Sequence, residues 1–136
     1  MTMQTINQAS LVEQTIRQFY DLLNAGLFAR CYRMIDPSIR ADPTSVTLPR
    51  YEESLSAFQA CVGKVRVCQV EIDLHIGEPS KLYDNHDFAV GKTTWEDERA
   101  EQHVHQERYV CRGQSRYTRS TGLVAPSQTR GAQPGS

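Results

Sequence analysis

Apolar residues recur at helical spacing through the first half of this chain and at alternate positions through much of the second. Leu11, Val12, Ile16, Phe19, Leu22 and Leu23 fall on one helical face. Ser10-Leu11-Val12-Glu13 has the capping-box form, and Asn24-Ala25-Gly26 supplies a glycine that can end a helix in the left-handed conformation. The pattern therefore predicts a first helix over 11–25. A shorter helix over 27–35 follows, burying Leu27, Cys31 and Met34 or Ile35, until Pro37 stops it. Ile39 to Asp42 reads as a short extended segment broken by Pro43. Pro49 suits a first helical turn, and Tyr51, Leu55, Phe58 and Val62 then mark a third helix that Gly63 closes.

Beyond Gly63 the period drops to two. Cys68, Val70, Ile72, Leu74 and Ile76 alternate with Gln69, Glu71, Asp73 and His75, which predicts a long strand with one buried side. Turn residues at Gly77 to Ser80 lead to a strand over 86–96, and a charged turn at Asp97-Glu98-Arg99 leads to another over 101–112. Gly113 then turns the chain into a last strand over 115–124. Three helices on one face of a curved, mainly antiparallel sheet make an α+β domain over 10–125. Residues 1–9 are expected to be flexible, and 126–136, rich in Ser, Gln, Thr, Arg, Gly and Pro, to form a disordered tail.

Composition narrows the class. The chain has 136 residues, 39% hydrophobic and 23% charged, with a formal net charge of -1. That is enough chain for one core, and the charge balance gives no electrostatic case for nucleic acid. No apolar run approaches a membrane span, and no secretory signal is visible at the start. Cys31, Cys61, Cys68 and Cys111 form no C-x-x-C pair, and most sit at apolar-patterned positions, as free thiols of a cytoplasmic protein do. A sheet with helices on one face leaves its other face to be covered, which predicts a homodimer.

Candidate chemistry concentrates in the strand over 101–112. Its alternation puts His103, His105, Glu107, Tyr109 and Cys111 on one side. Two imidazoles and a carboxylate then line a polar pocket or share a solvated face. Zinc or iron on His103, His105 and Glu107 is an alternative. The outer two positions lie about 13 Å apart along an extended strand, so one ion reaches all three only if that strand bends strongly. No metal or cofactor is expected.

The order helix, helix, short extended segment, helix, antiparallel meander resembles the cone-shaped fold of the nuclear-transport-factor-2-like superfamily, which includes ketosteroid isomerases and SnoaL-like polyketide cyclases. Phe19-Tyr20-Asp21-Leu22-Leu23-Asn24-Ala25-Gly26 is similar to the end of helix 1 in that superfamily, and Ala41-Asp42-Pro43 falls near the isomerases' general-base aspartate. The resemblance covers roughly residues 8 to 125. It implies a deep apolar pocket between the helices and the concave side of the sheet. It also implies Asp42 as base and Glu107 as a protonated acid, the latter through alignment of Gly113 with the last hairpin. The family's catalytic tyrosine position falls on Phe19, with Tyr20 beside it.

On this reading Asp42, Glu107, His103, His105 and Tyr20 are the catalytic candidates, and Phe19, Tyr51, Phe58, Tyr109 and Trp95 are expected to hold substrate. The implied function is a small cofactor-independent isomerase, cyclase, dehydratase or hydrolase acting on a hydrophobic molecule. The alternative is a module of the same fold that binds a ligand or dimerises without chemistry.

Overall fold

The computed structural model describes residues 3–76, 87–112 and 115–120, with side chains from Gln8 onward. Among the described residues four helices precede four strands: α1 (Met3–Asn24), α2 (Phe28–Tyr32), α3 (Pro37–Arg40), α4 (Leu48–Val62), β1 (Arg66–His75), β2 (Phe88–Glu96), β3 (Gln102–Arg112) and β4 (Ser115–Thr118). The strands form one open sheet in the order β1-β2-β3-β4, every pair antiparallel. The class is α+β, as the change of period implies.

Helix α1 lies against β1, β2 and β4, and α4 packs on α2. Val12, Ile16, Tyr20 and Leu23, spaced by three and four, are the buried stripe of α1, and Tyr51, Leu55, Phe58 and Val62 are that of α4. Each such fully buried aliphatic side chain contributes about 1.5–3 kcal/mol relative to exposure. Gly26 takes φ 76° where the chain leaves α1. Asn24 ties that end to the sheet, its amide donating to the Val65 carbonyl at 2.8 Å while its carbonyl oxygen accepts from the Val65 amide at 2.8 Å.

The second helix, expected over 27–35, spans only Phe28–Tyr32 and leaves Leu27 exposed, and further details depart from the sequence-based expectation. Helix α1 starts at Met3 instead of near Ser10, so 3–9 are helical and Ser10 is interior. Gln4, Gln8 and Ala9 are ordinary helix formers and give the chain no reason to begin at the capping box. Residues 37–40 are helical, overlapping the extended segment expected over 39–42, because Asp36 caps Ser38 N at 3.2 Å and Pro37 starts a helical turn instead of only stopping one. The extended pairing falls one turn earlier, as a parallel bridge between Ile35 and Thr118. A bulge between Val67 and Gln69 shifts the register of β1, so Val67, Val70, Ile72 and Leu74 pack on the core and Cys68 drops out of the apolar series.

Cys31 and Cys111 are buried, whereas Cys61 is exposed, and none of the four is in a disulfide. Among the described residues no helix is long and apolar enough to cross a membrane. The last strand, expected over 115–124, ends at Thr118 with Arg119 and Ser120 outside it; the turns placed at 77–80 and 113, the start of the second strand at 86, and residues 121–124 and 126–136 lie outside the described residues.

Candidate functional site: a tyrosine-lined cavity with a His–Glu pair

The register of β2 and β3 decides which side chains face the helices. Ala89, Gly91, Thr93 and Trp95 are buried, and their partners across the ladder are Tyr109, Glu107, His105 and His103. All of these belong to the face under the helices, so strand alternation places Glu107 and both histidines as expected. Depth along the strand then separates the two histidines.

Between the middle of this face, α1 and the segment around α2 lies a cavity of about 410 Å³, its open mouth included. Helix α1 contributes Thr15, Phe19 and Tyr20, and Tyr51 comes from α4. His105, Glu107 and Tyr109 rise from β3, while Met34, Thr118 and Ser120 close the other side. Gly91 makes room beneath them. A methyl group there would lie 2.8 Å from Ile16 Cδ1 and 3.1 Å from Tyr109 Cε1, so only the missing side chain lets α1 and Tyr109 approach this closely.

His105 Nε2 stands 3.3 Å from Glu107 Oε2, with the histidine side chain 33% exposed and the glutamate 14%. An ionised Glu107 only accepts, which assigns the proton of the pair to Nε2 and leaves the Nδ1 lone pair free. Glu107 Oε1 also accepts from the Arg108 amide at 3.0 Å. Tyr20, Tyr51 and Tyr109 are buried residues, and their hydroxyls, which have no hydrogen-bond partner among the described residues, remain accessible. Burial, then the charge of Glu107, raises the pKa of Tyr20. Tyr109 is raised by the same two causes in the same order and by Tyr20. Burial also leads for Tyr51, with Cys31 and Glu107 adding to it. All three therefore remain neutral donors.

His103 has a different setting. Its Nε2 donates to Asp97 Oδ2 at 2.9 Å, with both side chains almost fully buried, and its ring lies 4.5 Å from that of Trp95. The other oxygen of Asp97 accepts from the Arg99 amide at 2.8 Å and the Glu101 amide at 3.0 Å, so this carboxylate organises the β2–β3 turn. Burial works against the Asp97 charge, but His103 and the two amides outweigh it and lower the pKa. His103 is thus a core residue at the turn end of the sheet and lines no part of the cavity. Trp95 and Phe58 are core residues too, packed edge to face with ring centroids 5.6 Å apart. Their expected place against a substrate is corrected accordingly.

Asp42 is also away from the cavity. It is exposed and accepts from both the amide and the hydroxyl of Thr44 at 2.9 and 2.7 Å. These two bonds, amide first, lower its pKa. The short turn before Pro43 claims this carboxylate, so the expected facing pair of Asp42 and Glu107 is not formed.

Among the described residues His103, His105 and Glu107 do not converge as a ligand set. The group whose ligating atoms lie within 4.8 Å of one another is Asp97, Glu101 and His103. There Asp97 already serves the turn amides and His103. Sequence reasoning missed Asp97, although an Asp two and four residues ahead of turn amides is the signal for such a role. It also missed Asp36, a buried carboxylate held by Arg112 Nε at 2.9 Å and Arg119 Nη1 at 2.6 Å.

No protein-family model matches this chain, and no curated protein matches it.

Proposed function

We propose that this chain is a cone-fold protein of the nuclear-transport-factor-2-like type whose cavity binds a hydrophobic small molecule and moves a proton on it. The observation that carries this is the His105–Glu107 pair, 3.3 Å apart, in a cavity lined by three tyrosines whose hydroxyls have no hydrogen-bond partner among the described residues. Nδ1 of His105 takes a proton from carbon next to a carbonyl, and Glu107 holds the imidazolium that results. The C–H electron pair moves to the carbonyl oxygen, where a tyrosine hydroxyl donates to it. Return of the proton to a different carbon, or loss of a leaving group, completes an isomerisation or an elimination. These steps use side chains alone, so no cofactor is required.

The test is exchange in heavy water. With cyclic and aryl ketones as substrates, the protein should speed loss of the α-proton signal by NMR, and His105→Gln should lower that rate about a hundredfold or more. Ketones that bind without exchange would favour the non-catalytic binding module. The exposed position of Asp42 speaks for that second reading, since it removes one of the two expected acid–base groups.

We place the protein in the cytoplasm, where four free thiols persist. A homodimer through the outer sheet face, where Val104 is 59% exposed, completes the proposal. Sedimentation at micromolar concentration that finds only a 15.4 kDa species would remove the dimer.

A further inference from the structure

The cavity has an electrostatic bias beyond its capacity for proton transfer. Its described lining holds one carboxylate, Glu107, and no lysine or arginine. The described guanidinium groups of the neighbouring strand positions are held by other partners or face outward: Arg112 and Arg119 grip Asp36, the buried Arg116 donates to the Ser115 carbonyl and to Gln8, and Arg108 is exposed on the opposite face of the sheet. An ionised Glu107 beside a neutral His105 is then a negative charge only 14% exposed, with no lysine or arginine among the described residues that line the cavity. A charge so poorly hydrated acts strongly on whatever enters.

The walls add to this bias. Phe19, Tyr20, Tyr51 and Tyr109 are four aromatic rings around one carboxylate. Phe19 and Tyr20 stand edge to face, ring centroids 5.3 Å apart and planes at 89°. Ring faces carry negative electrostatic potential and attract ammonium groups, and Glu107 repels carboxylates and phosphates.

We infer that the occupant of this cavity carries a positive charge, a hydrophobic molecule with a protonated or quaternary amine whose ammonium group lies among these rings beside Glu107. The inference rests on the cavity being the substrate site.

Three probes sharing one branched skeleton test the charge: choline, the neutral 3,3-dimethylbutan-1-ol and the anionic 3,3-dimethylbutanoate. Titration of the full chain, followed by NMR of the tyrosine rings, should give an affinity for choline about tenfold above that for the alcohol, with the carboxylate weakest. Glu107→Gln should remove choline's advantage over the alcohol, and a melting temperature close to that of wild type reports that the variant is folded. Phe19→Leu, at a partly buried ring, gives a second variant and should weaken choline several-fold more than the alcohol. An alcohol or carboxylate that binds wild type as tightly as choline overturns the charge inference and leaves the cavity as a ligand site. If none of the three perturbs the tyrosine signals, both readings fall.

Discussion

Glu107 stands directly across the β2–β3 ladder from Gly91, the position where a side chain would collide with both Ile16 and Tyr109. The carboxylate thus has an empty neighbour on the inward face, and Tyr109 leans over the space. Gly91→Ala should destabilise the fold by about 1–3 kcal/mol, because Ile16 is fully buried and has little freedom to move. It should also weaken ligand binding by displacing Tyr109. Thermal melting and the NMR titration check the two effects, and an unchanged melting temperature would refute the close packing.

His103 and His105, two residues apart on one face, should respond in opposite ways. His103→Ala leaves Asp97 buried without its partner and should cost about 3–5 kcal/mol in urea denaturation. His105→Gln alters a partly exposed pair and should cost less than about 1 kcal/mol while abolishing most α-proton exchange. A large loss of stability at His105 with unchanged exchange would reverse these assignments.

Asp42→Asn should leave exchange within about twofold of wild type, since general-base catalysis requires reach and this carboxylate has none. Stability should also hardly change, because asparagine can accept the same Thr44 bonds in the turn. A collapse of turnover in this variant would restore Asp42 as the base.

Periodicity made the sheet and both long helices legible, including the face shared by Glu107, His105 and Tyr109. Alternation reports which side of a strand a residue takes but not what lies above it. His103 and His105 therefore read alike, although one sits under the turn built by Asp97 and the other at the cavity. The bulge at Val67 and Gln69 was likewise invisible, since nothing in Val-Cys-Gln breaks the alternation. Asp42 failed for a different reason. A carboxylate before proline serves a base or a turn equally well in sequence, and the hydroxyl of Thr44 decides for the turn. Asp36 escaped notice because its partners lie 76 and 83 residues away.

Acid should release Asp36. Burial opposes its charge, but bonds from Arg112, Arg119 and the Ser38 amide outweigh this and bring the pKa from 3.8 to about 2. The folded state therefore binds this proton less readily than the unfolded chain does. The stabilisation, about 2 kcal/mol, is complete above the ordinary carboxylate range and is lost as pH falls from about 4 toward 2. Denaturation curves recorded through that window should show the loss in wild type, and Asp36→Asn should flatten the share due to this group. An equally steep acid limb in the variant would assign the loss to other carboxylates.

The same carboxylate has a kinetic consequence. Its bonds join the start of α3 to the end of β3 and to the residue after β4, closing loops far longer than those of the hairpins between them. Closure of long loops is entropically disfavoured, so these bonds should form after the local hairpins and be largely absent when the chain crosses its folding barrier. Asp36→Asn should then leave the refolding rate in stopped-flow nearly unchanged and accelerate unfolding by most of the lost stability. Asp36 works as a late clasp, and it governs how long the folded chain persists once formed.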